Sequence, residues 1–207
     1  MSSGGYGMSS AGAWDGYYSG AHTGRTTYGV EGSYRVAATW LAPCPLVEDW
    51  GAGLGGFGLY RDPSTIHAID GSSTPWVNEV VDLTTYEHMT STGDPAVPGI
   101  HIRHVLEHNH AWPSILANAC ASCAHRLALT VYTPLASRTH VMARPAWDAV
   151  PDVPEYSFRL ADLTQIIEAH DMTIHTQHVA TDTFLACVRR GSAALFDPNP
   201  YTQDLEP

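Results

Sequence analysis

The chain of 207 residues contains no lysine, so its positive charge rests on ten arginines against 21 acids, a net charge of −11. A surface that acidic repels phosphate backbones, which disfavours nucleic acid as a partner unless the arginines cluster. Charged residues make up only 15% of the chain and apolar residues 44%. That balance belongs to a globular chain, not a disordered one. No run approaches the roughly 18 apolar residues of a membrane span. The N-terminus also lacks a basic region followed by an apolar block. The expectation is a soluble, cytoplasmic protein with no membrane partner. Cysteine is scarce too. Cys120 and Cys123 form a single CxxC with no second pair, and they sit in an Ala-rich helical run. That setting favours buried thiols over zinc or redox work.

What is present suits one α/β domain with a full core, since two domains would be cramped at this length. Residues 1–30 are rich in Gly, Ser, Tyr and Thr without periodicity and read as a flexible segment. Met1 to Ala13 is expected to lack structure. Trp14, Tyr17, Tyr18 and Tyr28 are more aromatics than a disordered tail usually carries, so Trp14 to Gly32 has the makings of a lid over a pocket. Residues 31–207 form the expected domain, opened by a helix over Val30 to Ala42. Apolar runs then predict strands at Leu46–Trp50, Thr65–Asp70, Glu79–Val81, Gly99–Arg103 and Arg126–Tyr132. Helices are predicted from near Gly55 and from near Trp112 through SILANACASCAHR. This alternation implies a parallel sheet with right-handed crossovers. Leu160 to His170 reads as a further helix, and MTIHTQHVAT and TFLACVRR as a hairpin turning at Thr181–Asp182. The Pro-rich stretch Thr133 to Tyr156, with Pro134, Pro145, Pro151 and Pro154, is expected to be a long functional loop.

The most telling segment is LVEDWGAGLGGFG, Leu46 to Gly58: a strand ending in acids, then a glycine-rich turn. Gly51, Gly53 and Gly55 carry no Cβ, so backbone there can approach a nucleotide-like ligand closely. IHAIDGS ends a second strand at Asp70, VVDL places Asp82 and Leu83 after a third, and GIHIRHVLEH ends a fourth at Arg103 and His104.

Together these motifs resemble the class I S-adenosylmethionine-dependent methyltransferases over roughly Pro45 to Arg190. The resemblance implies a Rossmann-like seven-stranded sheet in the order 3-2-1-4-5-7-6, with helices on both faces and a C-terminal antiparallel hairpin. It implies that Asp49, Gly51, Gly53 and Gly55 cradle the methionine portion of S-adenosylmethionine and that Asp70 accepts from the two ribose hydroxyls. Asp82 and Leu83 would flank the adenine, with Arg103 also at the cofactor. The competing cofactor is a dinucleotide such as NAD, because Gly51-x-Gly53-x-x-Gly56 satisfies GxGxxG. Against it, Glu48 and Asp49 would repel a pyrophosphate at the helix N-terminus, whereas an acid favours the ammonium and sulfonium of S-adenosylmethionine.

In the resemblance, His104, Glu107 and His108 lie beside the transferable methyl group, with His104 opening a helix. One imidazole would serve as a general base, or the segment merely packs and proximity does the work. Related enzymes bind a divalent metal through E-x-x-E-H, but His104 replaces the first Glu here and only His140 or Glu155 could add a later ligand. A metal is therefore disfavoured. His175 and His178, at odd spacing on a strand, face opposite sides and do not share a ligand. The fourth strand does not end in the D/N-P-P-Y/F phrase of exocyclic-amine DNA methyltransferases. The expected acceptor is a small molecule: a sugar, a nucleotide derivative or a metabolite hydroxyl or amine. The competing class is a catalytically inactive partner subunit of the same fold. The oligomeric state is not legible in the chain.

Overall fold

The computed structural model describes residues 11–19, 24–27, 29–143 and 153–192. Residues 1–10, Tyr28, Pro145 and Pro151 lie outside the described residues.

Strand β1 (Val47–Trp50) occupies the middle of a seven-stranded sheet. Beside it run β2 (Ile66–Asp70) and then β3 (Glu79–Val80). On its other flank lie β4 (Val97–Arg103) and β5 (Cys123–Val131), all parallel. A short ribbon, β6 (His140–Val141) with β7 (Tyr156–Ser157), stands apart from this sheet. The last two strands, β8 (Met172–Val179) and β9 (Asp182–Arg189), form the terminal hairpin. β9 inserts antiparallel against β5. The order is β3-β2-β1-β4-β5-β9-β8, the expected 3-2-1-4-5-7-6 once the small ribbon is set aside.

Residue choice explains the layering. β5 is buried almost end to end, as a central strand covered on both faces must be. Its side chains alternate between two cores. Ala128 packs with Phe57, Phe184 and the buried stripe Tyr34, Ala37 and Trp40 of α2 (Glu31–Trp40) on one face. Leu127 and Leu129 pack with Ile115, Leu116, Leu163 and Ile167 on the other. Those four come from α3 (Trp112–Ser122) and α4 (Leu160–Ala169). Each fully buried Leu or Ile contributes roughly 1.5–3 kcal/mol relative to exposure.

Several expectations need correcting. No α-helix starts near Gly55: Gly55, Gly56 and Gly58 disfavour one, and only a 3₁₀ turn, Gly56–Leu59, forms there. Nor does His104 open a helix, because only a 3₁₀ turn spans Leu106–His108. Helix α3 stops at Ser122, so β5 starts three residues before the expected Arg126. Ala11 to Ala13, expected to lack structure, open helix α1 (Ala11–Ser19). The loop after β5 is interrupted by the β6–β7 ribbon.

The chain winds from β1 outward to β3, then returns to β4 on β1's other side. Such a switch point leaves a crevice at the carboxyl ends of the strands. Among the described residues, no helix is long and apolar enough to cross a membrane.

Candidate active site

A cavity of about 540 Å³ occupies that crevice, within the usual size of a small-molecule site. Its floor is a series of strand ends. Gly51 follows β1, Asp70 ends β2 with Gly71 next after it, and Val81, Asp82 and Leu83 follow β3. His104, Val105, His108 and Asn109 follow β4, Tyr132 follows β5, and Thr181 and Asp182 sit where β9 begins. Helix α1 contributes Trp14, Tyr17 and Tyr18 from the opposite side.

The glycine loop is tight. Gly51 has φ 75°, and a Cβ there would lie 2.2 Å from Val105 Cγ2, closer than any real contact. Gly53 has φ 49°, and its Cβ would meet the Tyr18 hydroxyl at 2.8 Å. The Gly53 amide donates to Asp70 Oδ2 at 2.9 Å and the Ser72 amide donates to Oδ1 at 2.8 Å. The carboxylate is thus fixed at the cavity wall. Burial pushes its pKa up to about 6, against the lowering effect of those amides.

Asp82 closes an Asx turn: its Oδ1 accepts from the amide and the hydroxyl of Thr84, at 2.9 and 2.7 Å. Leu83, 8% exposed, lies beside it.

The other end is built on Asp182. Its Oδ2 lies 3.4 Å from the Arg103 guanidinium and 3.3 Å from His104 Nε2. His104 takes φ 57°, a region a non-glycine residue seldom occupies. Burial lowers its pKa to about 4, outweighing the raising effect of Asp182. Tyr132 Oη donates to Glu155 Oε1 at 2.5 Å and lies 3.4 Å from His108 Nε2. His108 Nδ1 lies 3.2 Å from the Pro154 carbonyl, and burial lowers this imidazole's pKa as well.

No protein-family model and no curated protein sequence matches the chain; its likenesses are to solved structures. It superposes on the magnesium protoporphyrin IX methyltransferase of Synechocystis PCC 6803 with bound SAM at TM-score 0.57. That alignment has 14% identity and covers 90% of this chain and all of that one. The 1,6-didemethyltoxoflavin-N1-methyltransferase of Burkholderia thailandensis gives TM-score 0.56 at 16% identity, covering 77% and 76%. The N-terminal domain of EvdMO1, crystallised in the presence of SAH and D-fucose, gives 0.52 at 13%, covering 85% and 93%. The chain has the class I methyltransferase fold.

On that fold the sequence-derived site residues separate into two groups. Gly51, Asp70, Asp82, Leu83, His104 and His108 reach the cavity. Asp49, Gly53, Gly55, Arg103 and Glu107 are not among its lining residues. Asp49 Oδ1 lies 2.7 Å from His101 Nδ1, with both side chains buried beneath the glycine loop. Gly55 packs against Trp76 and Arg25. Arg103 donates to Ser33 Oγ and Tyr34 Oη at 3.0 and 3.2 Å, tying α2 to the start of β9.

Glu107 is turned inward by the 3₁₀ turn and is fully buried. Its Oε1 accepts from the Tyr132 amide, while Oε2 has no hydrogen-bond partner among the described residues. Burial raises its pKa to about 8.

His140 is exposed, and Glu155 is engaged with Tyr132. Among the described residues, no group of three or more His, Cys, Asp or Glu side chains could hold a metal ion.

Sequence reasoning missed Asp182 and Tyr132. Asp182 read as a turn residue and carried no motif. Tyr132 could have been found by the rule that site residues sit at the carboxyl ends of parallel strands.

Proposed function

We infer that the protein is an S-adenosylmethionine-dependent methyltransferase acting on a small molecule. The observation that carries this is the pairing of a glycine loop, closed to any Cβ, with Asp70 held by the Gly53 and Ser72 amides at the cavity wall. A cofactor with a cationic methionine end and a ribose diol fits those groups. The carboxylate oxygens of Asp70 can still accept from hydroxyls, since a carboxylate takes about four hydrogen bonds. Asp82 and Leu83 flank the adenine, and Gly51 admits the methionine portion. Asp49, paired with His101, sets negative charge beneath the loop. A dinucleotide fits less well, because the loop leads into a 3₁₀ turn and offers no α-helix N-terminus to a pyrophosphate.

The bound cofactor supplies a sulfonium methyl, which needs chiefly in-line orientation toward the acceptor atom. The chain supplies the rest. His104, held neutral by burial and oriented by Asp182, accepts the proton that a hydroxyl or amine acceptor gives up. Hydrogen bonds from His104 and Ser33, with the Arg103 guanidinium beside them, hold the Asp182 carboxyl below its ordinary range, against burial.

Incubation with methyl-labelled S-adenosylmethionine and a panel of hydroxylated and amine metabolites tests this function. Label in a small-molecule product supports it. Tight cofactor binding with no transfer to any acceptor would instead favour the inactive partner-subunit class.

A further inference from the structure

The cavity has a wall of rings. Trp14 stacks on Tyr18 with centroids 5.7 Å apart and planes at 22°, and meets the His108 ring at 5.2 Å and 66°. Tyr17 lies edge-on to Trp14 at 5.8 Å. Across the floor, the His104 ring is 4.7 Å from Tyr132, which in turn is 5.7 Å from His108. These separations are those at which aromatic rings attract, through offset and edge contacts. A flat ring entering this space would extend contacts the walls already make with one another.

Charge narrows the ligand further. Among the described residues, no arginine lines the cavity, so nothing there neutralises a carboxylate or phosphate. Asp70 and Asp82 lie on the β2–β3 side of β1, where the proposed cofactor uses them. The remaining acid, Asp182, already faces the Arg103 guanidinium. The end around His104, His108 and Tyr132 is therefore close to electrically neutral. Val30, Val105 and Ile115 complete much of its lining. Asn109 and Thr181 are also in the lining.

We propose that the methyl acceptor is an uncharged, flat aromatic compound carrying a hydroxyl, its ring packed against the rings of Trp14, His108 and Tyr132 and its hydroxyl directed at the His104–Asp182 pair. This rests on the methyltransferase function inferred above. In the transfer, the acceptor oxygen gives its proton to His104 and forms the new O–CH₃ bond. The methyl–sulfur bond breaks with its electron pair passing to sulfur, leaving a neutral thioether. The proton on His104 then passes to water.

The test is tryptophan fluorescence and calorimetric titration of the full chain, with and without S-adenosylhomocysteine, using three matched probes. These are 2-naphthol, its 6-carboxylate analogue and saturated decahydro-2-naphthol. The inference expects 2-naphthol to bind at least about tenfold more tightly than either of the others, a gap of about 1.4 kcal/mol. Trp14→Ala should weaken naphthol about tenfold and Trp14→Phe should restore most of it, with S-adenosylhomocysteine affinity moving less than about threefold in both.

Equal binding of the carboxylate or of the saturated alcohol would overturn the inference. So would indifference to Trp14→Ala. If S-adenosylhomocysteine binds and 2-naphthol does not, only the acceptor class falls. If naphthol binds and S-adenosylhomocysteine does not, the methyltransferase function falls and takes the acceptor assignment with it.

Discussion

The amide of Gly53 donates a hydrogen bond of 2.9 Å to the carboxylate of Asp70, joining the loop after β1 to the end of β2. One acid thereby shapes the glycine loop and faces the cavity.

The pH dependence of cofactor affinity follows from that acid. Its pKa stands near 6 in the free protein, and hydroxyl donors favour the ionised form. Binding should therefore strengthen as pH rises through 6 and level off above it. Below 6 the affinity for S-adenosylmethionine should fall about tenfold per pH unit. Asp70→Ala should lower it by more than about tenfold at pH 7.5 while the fold persists. Two amides left without their acceptor would cost roughly 1–3 kcal/mol each in a thermal melt. Unchanged affinity in that variant would reduce Asp70 to a structural acid.

Gly51 and Gly53 should respond differently to alanine. A Cβ on Gly51 runs into Val105, a stiff side chain, at 2.2 Å, so Gly51→Ala should destabilise the fold by about 1–3 kcal/mol. A Cβ on Gly53 meets the tip of Tyr18, which can swing away with α1. Gly53→Ala should melt closer to the parent yet bind the cofactor poorly. Circular dichroism melts with parallel titrations separate the two, and equal destabilisation would contradict the assigned packing.

The sequence made much of this legible. The strands of the main sheet could be placed from the sequence, β4, β5 and β9 as apolar-rich runs, and Asp70 and Asp82 could be picked out before any geometry. Two kinds of feature were hidden. The glycines that admit a ligand also prevent the helix expected after them, so local propensity overrode the family pattern at Gly55–Gly58. The inward turn of Glu107 is held by the Tyr132 amide after β5, and the meeting of Arg103 with Asp182 depends on β9 inserting beside β5, a contact spanning 79 residues. No local window contains it.

Glu107 makes a stability prediction. Its folded pKa of about 8 lies above the ordinary carboxylate value of 4.5. The folded state thus holds a proton that the unfolded state releases. Its contribution is present below pH 4.5 and is lost as pH rises through 8, by at most about 5 kcal/mol. Glu107→Gln should flatten the decline in stability between pH 5 and 8.5 in urea titrations. A decline of the same size in both proteins would show that Glu107 is ionised when folded.

Asp182→Asn tests the proton-accepting pair. It should lower kcat by about a hundredfold, the scale of a lost general base, with cofactor affinity nearly unchanged. In the parent, kcat at saturating S-adenosylmethionine should show no titration near 6.5, because His104 titrates near 4. An acid limb centred at 6.5 would assign the base elsewhere.

The most direct measurement is calorimetric titration of the full chain with S-adenosylmethionine and, separately, with NAD. The account predicts saturable S-adenosylmethionine binding that Asp70→Ala weakens more than about tenfold, and no heat from NAD. NAD binding with silence toward S-adenosylmethionine would contradict it.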